Sequence, residues 1–423
     1  MSPAAPSDQR LKRLNSLLRQ AKRESPFQRS RLGRAHLPLK RLEALTELPF
    51  TTKADLLADQ AQHPPFGSNL TYDLSAYTHL HQTSGTTAST LRILDTDDDW
   101  QWWRGALGNV LRVAGITPND RVALAYSFGP YVQFWASYEG VLEVGALALP
   151  LGGMESLQRL QTMADYGATA LLATPSYALH LAKVATDHRM DDALRPVRRV
   201  ICTGEPGASV AAVRDRIEAA WEARCLDHAG ASEAGPFAYP CPSHGGLHLA
   251  EDEFICEIVD VDTGEPLAEG ELGELVVTAL GRRGFPVIRY RTGDMAKSAP
   301  SPCPGGHAGR WLPDGIQGRT DDMVVIRGMN VFPSTIEQTL RESPGVGEFR
   351  ITFYTDPRAM DEVKVEVELS EPSASRQIQA RMRQRLGLRV RIVPLKEGIL
   401  PPSNGKARRV EDHRAASSRV SGA

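Results

Sequence analysis

Arg121-Val-Ala-Leu-Ala-Tyr126, the aromatic-bearing segment from Tyr131 to Leu142, and Val144-Gly-Ala-Leu-Ala-Leu149 together decide the fold. A short apolar run, a longer segment of helical length and a second short apolar run read as strand, helix, strand. The pattern recurs downstream. Leu157 to Tyr166 reads as a helix, Ala170-Leu-Leu-Ala173 as a strand, Ser176 to Ala185 as a helix and Arg199-Val-Ile-Cys202 as a strand. Strands alternating with helices predict a largely parallel sheet covered on both faces. Upstream, Leu11, Leu14, Leu17 and Leu18 recur at helical spacing between basic residues, so an amphipathic helix opens the chain.

Downstream of about Gly246 the texture changes. Glu257-Ile-Val-Asp-Val261, the turn Thr263-Gly-Glu-Pro266 and Gly273-Glu-Leu-Val-Val277 read as antiparallel strands, a small β-barrel-like part. Beyond Gly318 a third texture begins. Met323 to Ile326 reads as a strand, Pro333 to Arg341 as a helix, Val363 to Leu369 as an alternating strand, Ser375 to Leu386 as a basic helix and Arg389 to Val393 as a last strand. The fold class is therefore α/β: a large N-terminal domain over residues 1–317 and a small α+β C-terminal domain over residues 318–423.

Composition narrows the function. The 423 residues carry Lys+Arg 49 against Asp+Glu 51, so no basic field points to nucleic acid. The richest apolar stretch, Tyr126 to Met154, is broken by Glu139, Glu143 and several Gly and Pro, which makes a poor membrane span. The first residues lack the apolar core of a secretory signal, and five cysteines are too few for a disulfide framework. These features fit a cytoplasmic enzyme.

Six segments carry chemistry. Thr83-Ser84-Gly85-Thr86-Thr87 places hydroxyls and backbone N–H groups around a glycine, as phosphate-cradling turns do. Gly204-Glu205-Pro206-Gly207 follows a parallel strand, the position where ligands sit in open α/β sheets. Glu233, in Asp227-His-Ala-Gly-Ala-Ser-Glu233, is a carboxylate suited to hold Mg²⁺ against triphosphate oxygens. Asp294, closing Tyr290-Arg-Thr-Gly-Asp294, suits two ribose hydroxyls; Arg319 suits ribose or phosphate, and Asp321 can absorb the rotation of a hinge. Lys406 follows Pro401, Pro402 and Gly405 on a turn-rich segment, free to swing onto an α-phosphate oxygen where charge develops. Taken in order, the segments predict ATP cleavage between the α- and β-phosphates.

These segments together resemble the adenylate-forming superfamily, and most closely its phenylacetate–CoA ligase branch. Leu48-Pro-Phe-Thr-Thr-Lys-Ala-Asp-Leu56 is similar to that branch's N-terminal signature. Pro286 to Asp294, Gly318 to Asp322, Ile326 to Pro333 and Gly405-Lys406-Ala407 are similar to its later motifs. The resemblance implies a C-terminal domain that rotates between two conformations, one bringing Lys406 to the adenylation chemistry and one opening a thiol-binding face. It also implies Thr83 to Thr87 on the triphosphate, Gly204-Glu205-Pro206 beside adenine, Glu233 on Mg²⁺, Asp294 and Arg319 on ribose, and Asp321 as the hinge. The chain departs from the pattern twice. Ala88-Ser89-Thr90 stands where a Gly-Lys-Pro is usual, and Ala229 where a tyrosine commonly stacks on adenine, a loss worth on the order of 1 kcal/mol of affinity.

The aromatic stretch Tyr126 to Trp135 falls where the branch builds its acid pocket, with Gly235-Pro236-Phe237. Phe128 and Tyr131, with Gly235 and Pro236, are the expected pocket residues, and aromatic walls favour a flat aryl acid. Coenzyme A is the expected acceptor; Arg381, Arg383, Arg385, Arg389 and Arg391 offer cations for its phosphates, or a solvated helix face. Rival readings keep the adenylating site without CoA: activation of nitrite to diazotise an aryl amine, or transfer to a carrier protein. A nucleotide-binding relative without catalysis is a third. A monomer or homodimer is expected. Separately, Cys241, His248, Cys303 and His307, with His244 in reserve, offer ligands for a structural Zn²⁺.

Overall fold

The computed structural model describes residues 7–83, 90–127, 129–205, 207–307, 309–320, 324–326, 329–356, 360–386, 388–401 and 409–414. Ser84, Gly85, Thr86, Thr87, Phe128, Pro206, Asp321 and Lys406 lie outside these residues.

Five parallel strands form the sheet on which the molecule is organised. Their order is Leu147–Pro150, Arg121–Leu124, Ala170–Ala173, Arg199–Cys202 and Arg224–Asp227. Side-chain alternation splits each strand between two cores. Ala123, Leu171, Ala173, Val200, Cys202 and Cys225 face the helices Ser156–Tyr166, Pro175–Asp187 and Ala211–Trp221. Val122, Leu124, Tyr126, Leu172, Ile201 and Leu226 face the helices Asp97–Val113 and Val132–Val144. Both faces are apolar because both are covered, which is why the strands read as continuous hydrophobic runs.

The antiparallel region corrects the expectation of a barrel. It consists of two open four-stranded sheets, Trp311–Leu312, Leu247–Leu249, Gly235–Pro240, Ala229–Ala231 and Phe254–Val259, Gly273–Ala279, Tyr290–Ala296, Ile316–Arg319, with no closure among the described residues. They share one core built on Phe237, Leu247, Phe254, Leu275, Val277 and Phe285. Two packed sheets bury their inner faces against each other and need no closure.

The C-terminal strands Val346–Thr355, Asp361–Leu369, Arg391–Leu395 and Val410–Asp412 make one mixed sheet, backed by the helices Pro333–Arg341 and Ala374–Leu386. Its core draws only on residues between Val324 and Ile392. Among the described residues no helix is long and apolar enough to cross a membrane.

Candidate active site

The hairpin that ends at Thr83 reaches the segment following the parallel strand Arg121–Leu124, the Gln82 N–H donating to the Pro130 carbonyl at 2.7 Å. Thr83 closes the hairpin Tyr77–Gln82 and Arg92–Thr96, its N–H donating to the Leu91 carbonyl at 3.1 Å. Its hydroxyl is buried with no hydrogen-bond partner among the described residues. Gly204 follows the strand Arg199–Cys202 at φ +89°, a conformation glycine adopts without steric cost. Glu205 turns back to accept the Ser176 N–H, at the start of the helix Pro175–Asp187, at 2.7 Å. Burial pushes the Glu205 carboxyl above its ordinary value, and the helix-start N–H opposes that rise.

Glu233 is almost wholly buried. Lys53 Nζ stands 3.9 Å from its carboxylate, and the buried Tyr290 phenol hydrogen-bonds to it. Burial first, and then that carboxylate, raise the Tyr290 hydroxyl well above its usual range. Lys53 lies within the signature string Leu48 to Leu56, and its position has a local cause. Thr52 and Asp55 form a reciprocal capping box that starts the helix Lys53–Gln62. Thr51 is stitched to the strand at Tyr290 by the pair Thr51 N–H to Arg289 O and Arg291 N–H to Thr51 O, both 2.9 Å.

Behind Glu233 lies a residue that sequence reasoning missed. Arg282 is fully buried and binds Asp95 through two bonds of 2.7 Å. Its other nitrogen donates to the backbone carbonyls of Ser232 and Glu233 at 2.8 and 2.7 Å. One guanidinium therefore ties the second strand of the Thr83 hairpin to the backbone that carries Glu233. Trp103 and Phe285 lie over it, each 5.7 Å away. Beside the pair, burial and the Arg282 charge hold the His81 imidazole down to about 3.

Asp294 and Arg319 face each other in register on adjacent strands, joined at 3.0 Å. Gly293 sits at φ +77°, and a Cβ there would lie 2.7 Å from the Arg319 guanidinium. Gly293→Ala is expected to cost about 1–2 kcal/mol through the left-handed backbone alone and to push Arg319 off Asp294. A lowered melting temperature measures the first effect.

Tyr131 is half-exposed where the helix Val132–Val144 begins. Gly235 and Pro236 are buried in the strand Gly235–Pro240, and a Cβ on Gly235 would meet the Trp102 ring at 2.7 Å. Arg381 and Arg385 are engaged with Glu342, by a backbone carbonyl and an ion pair respectively. Arg409 binds Glu337 and Glu348 within the C-terminal unit and lies near enough to Glu205 to feel its charge.

Of the four expected zinc ligands, Cys241, His248 and Cys303 come together, buried, with ligand atoms within 4.8 Å of one another. The two thiol sulfurs are 3.6 Å apart. His307 stands outside this group, its Nε2 hydrogen-bonded with the Ser243 hydroxyl at 2.8 Å. His244 is exposed; its backbone N–H donates to Cys241 Sγ.

Residues 328–414 match the family model of the AMP-binding enzyme C-terminal domain. The chain is 31% identical to the phenylacetate-coenzyme A ligase of Escherichia coli (strain K12), covering 95% of this chain and 93% of that protein. The chain belongs to the phenylacetate–coenzyme A ligase family of adenylate-forming enzymes. Among solved structures, 2-hydroxyisobutyryl-CoA ligase in the postadenylation state, in complex with 2-HIB-AMP, superposes with a TM-score of 0.89 at 31% identity, covering 97% of this chain and 91% of that one. The same ligase in its thioesterification state, with CoA, gives 0.73 at the same identity and coverage. The fold and the AMP-forming ligase class follow from this membership.

Proposed function

We propose that this ligase activates an aromatic carboxylic acid with ATP and passes the acyl group to coenzyme A. A carboxylate oxygen attacks the α-phosphorus, the bond to the β-phosphate oxygen breaks, and pyrophosphate leaves. The thiolate of coenzyme A then attacks the acyl carbon, and AMP leaves with the former carboxylate oxygen. The observation that supports the reading is the chain of contacts among these residues: Tyr290 hydrogen-bonds to Glu233 and feels the charges of Arg319 and Asp294, and Arg282 ties the Glu233 backbone to the strand that pairs in the Thr83 hairpin.

Asp294 would accept the two ribose hydroxyls, and Arg319 would orient that carboxylate. Gly204 and Glu205 would border adenine. Thr83, with a hydroxyl that no described residue engages, would meet the triphosphate together with Ser84 to Thr87. Glu233 fits Mg²⁺, since a single buried carboxylate leaves the remaining positions to phosphate oxygens and water. The ion would neutralise charge on the departing pyrophosphate. Lys53 brings a cation to this side, in a chain that has Ala88-Ser89-Thr90 where a lysine is usual. Residues 318–423 would rotate about Asp321, carrying Lys406 to the α-phosphate in one state and away in the other. The two TM-scores against one solved ligase support a described arrangement near the postadenylation state. Tyr131, Phe128, Gly235 and Pro236 would wall the acid.

Incubation with ATP, Mg²⁺ and a panel of aryl acids, with and without coenzyme A, tests this. Pyrophosphate release with acid alone, and an aryl thioester once coenzyme A is added, are expected. ADP as product, or AMP released only when nitrite and an amine are supplied, overturns it.

Cys241, Cys303 and His248 would hold a structural zinc. Two thiolates on a tetrahedral zinc, at about 2.3 Å each, are about 3.8 Å apart, close to the 3.6 Å found here. Cys241 follows the strand Gly235–Pro240 and Cys303 lies on the loop leading to Trp311, so the ion would pin that loop to its sheet. Purified protein is expected to carry one zinc per chain, lost in Cys303→Ser, with a lower melting temperature after chelation. Metal analysis below stoichiometry after growth in zinc rules this out.

A further inference from the structure

His228 is a titratable side chain that the proposed mechanism does not use. It follows the strand Arg224–Asp227 and remains in the ladder, its N–H donating to the Cys202 carbonyl at 3.0 Å. Alternation puts it on the face of Leu226, which packs with Tyr126, Phe134 and Ile201, while Cys225 packs on the opposite face. That face, at the carboxyl edge, is the one covered by the helix Val132–Val144, at whose start Tyr131 stands. The imidazole is buried, and neither ring nitrogen has a hydrogen-bond partner among the described residues. Isoleucine or leucine would fill such a place without an unmade hydrogen bond, so an orphaned imidazole asks for a partner from outside the protein. The Tyr126 hydroxyl, in the same cluster, is likewise buried without a hydrogen-bond partner among the described residues, and Gln133 donates to the buried Ser137 hydroxyl at 3.0 Å.

We propose that His228 hydrogen-bonds a polar ring substituent of the acid, so that the substrate class is hydroxy- or amino-substituted aryl acids rather than unsubstituted ones. The inference rests on the aryl-acid reading above and names the part of the substrate that reading leaves open. Burial holds the imidazole down to about 4, so it is neutral at physiological pH. A neutral imidazole offers one donor and one acceptor, which a ring hydroxyl or amine can meet from either side. Sites built around a substrate hydroxyl reject analogues that lack it far more strongly than apolar pockets reject an added one.

The test compares pyrophosphate release from matched pairs of acids, ring-hydroxylated or ring-aminated against unsubstituted, in the wild type, His228→Ile and His228→Gln. The wild type is expected to prefer the substituted acid by about 10²-fold or more in kcat/KM. His228→Ile loses that preference by gaining on the unsubstituted acid; His228→Gln, which keeps a donor and an acceptor, retains part of it. A merely structural histidine would instead lower kcat for both acids alike. Should His228→Ile fail to fold, the wild-type preference and the glutamine variant still decide. Equal turnover of both acids by the wild type, or a preference unchanged in His228→Ile, overturns the inference and leaves aryl-acid activation standing. Pyrophosphate release with no aryl acid of either kind overturns both.

Discussion

Glu233→Gln is expected to slow acid-dependent pyrophosphate release by about 10²–10³-fold, the usual consequence of removing one charged group aimed at a transition state. The replacement keeps the side chain's shape and removes only its charge. The anchors around it survive: Arg282 holds Glu233 through its backbone carbonyl, not its carboxylate. Lys53 loses an ion pair at 3.9 Å, and with a third of its side chain exposed that pair contributes little. Melting temperature should therefore stay close to that of the parent while the rate collapses. The Mg²⁺ concentration needed for half-maximal rate should rise. A variant that releases pyrophosphate at the parental rate with the same Mg²⁺ dependence removes Glu233 from the proposed site.

What could be read in advance depended on whether the cause of a structure lies nearby in the chain. Ala170–Ala173 and Arg199–Cys202 were legible to the residue, because a parallel strand with four or three buried residues needs only an apolar run between helices. The strand Gly235–Pro240 was not. Gly235, Pro236 and Pro240 argue locally against a strand, yet all six residues are buried, and the space beside Trp102 and Phe254 requires the glycine. The strand Val346–Thr355 was also missed: Gly347, Glu348 and Arg350 interrupt its apolar pattern, and its pairing with Asp361–Leu369 decides its shape. The barrel expectation failed for a related reason, since strand texture says that sheets form but not whether their edges meet.

The site divides along the same line. Asp294 and Arg319 sit in short motifs whose backbone places them in register. The Lys53–Glu233 contact joins residues 180 positions apart, and nothing near Lys53 announces it. His228 reads as a loop histidine between Asp227 and Ala229; only the sheet's alternation shows which face it takes.

Arg282 is the extreme case, and its removal carries the largest expected loss of stability. Gly281-Arg-Arg-Gly284 reads as an exposed basic turn, whereas Arg282 has a side chain with no exposure, paired to an Asp95 equally buried. Arg282→Met keeps most of the volume but leaves the Asp95 carboxylate unpaired and the Ser232 and Glu233 carbonyls without their donor. Breaking one side of a buried pair costs about 3–5 kcal/mol, so the urea midpoint of unfolding should fall steeply. The paired variant Arg282→Met/Asp95→Leu separates two consequences. Replacing both charges by apolar groups is often neutral for stability, so most of the loss should be recovered. The two carbonyls remain undonated, however, and the backbone carrying Glu233 is no longer tied to the Thr83 hairpin. Pyrophosphate release in the paired variant should therefore stay at least about 10-fold below the parent, since small misplacements of a positioned group are costly to rate. If stability and rate return together, Arg282 serves the core alone; if stability returns and the rate does not, the guanidinium holds Glu233 in place.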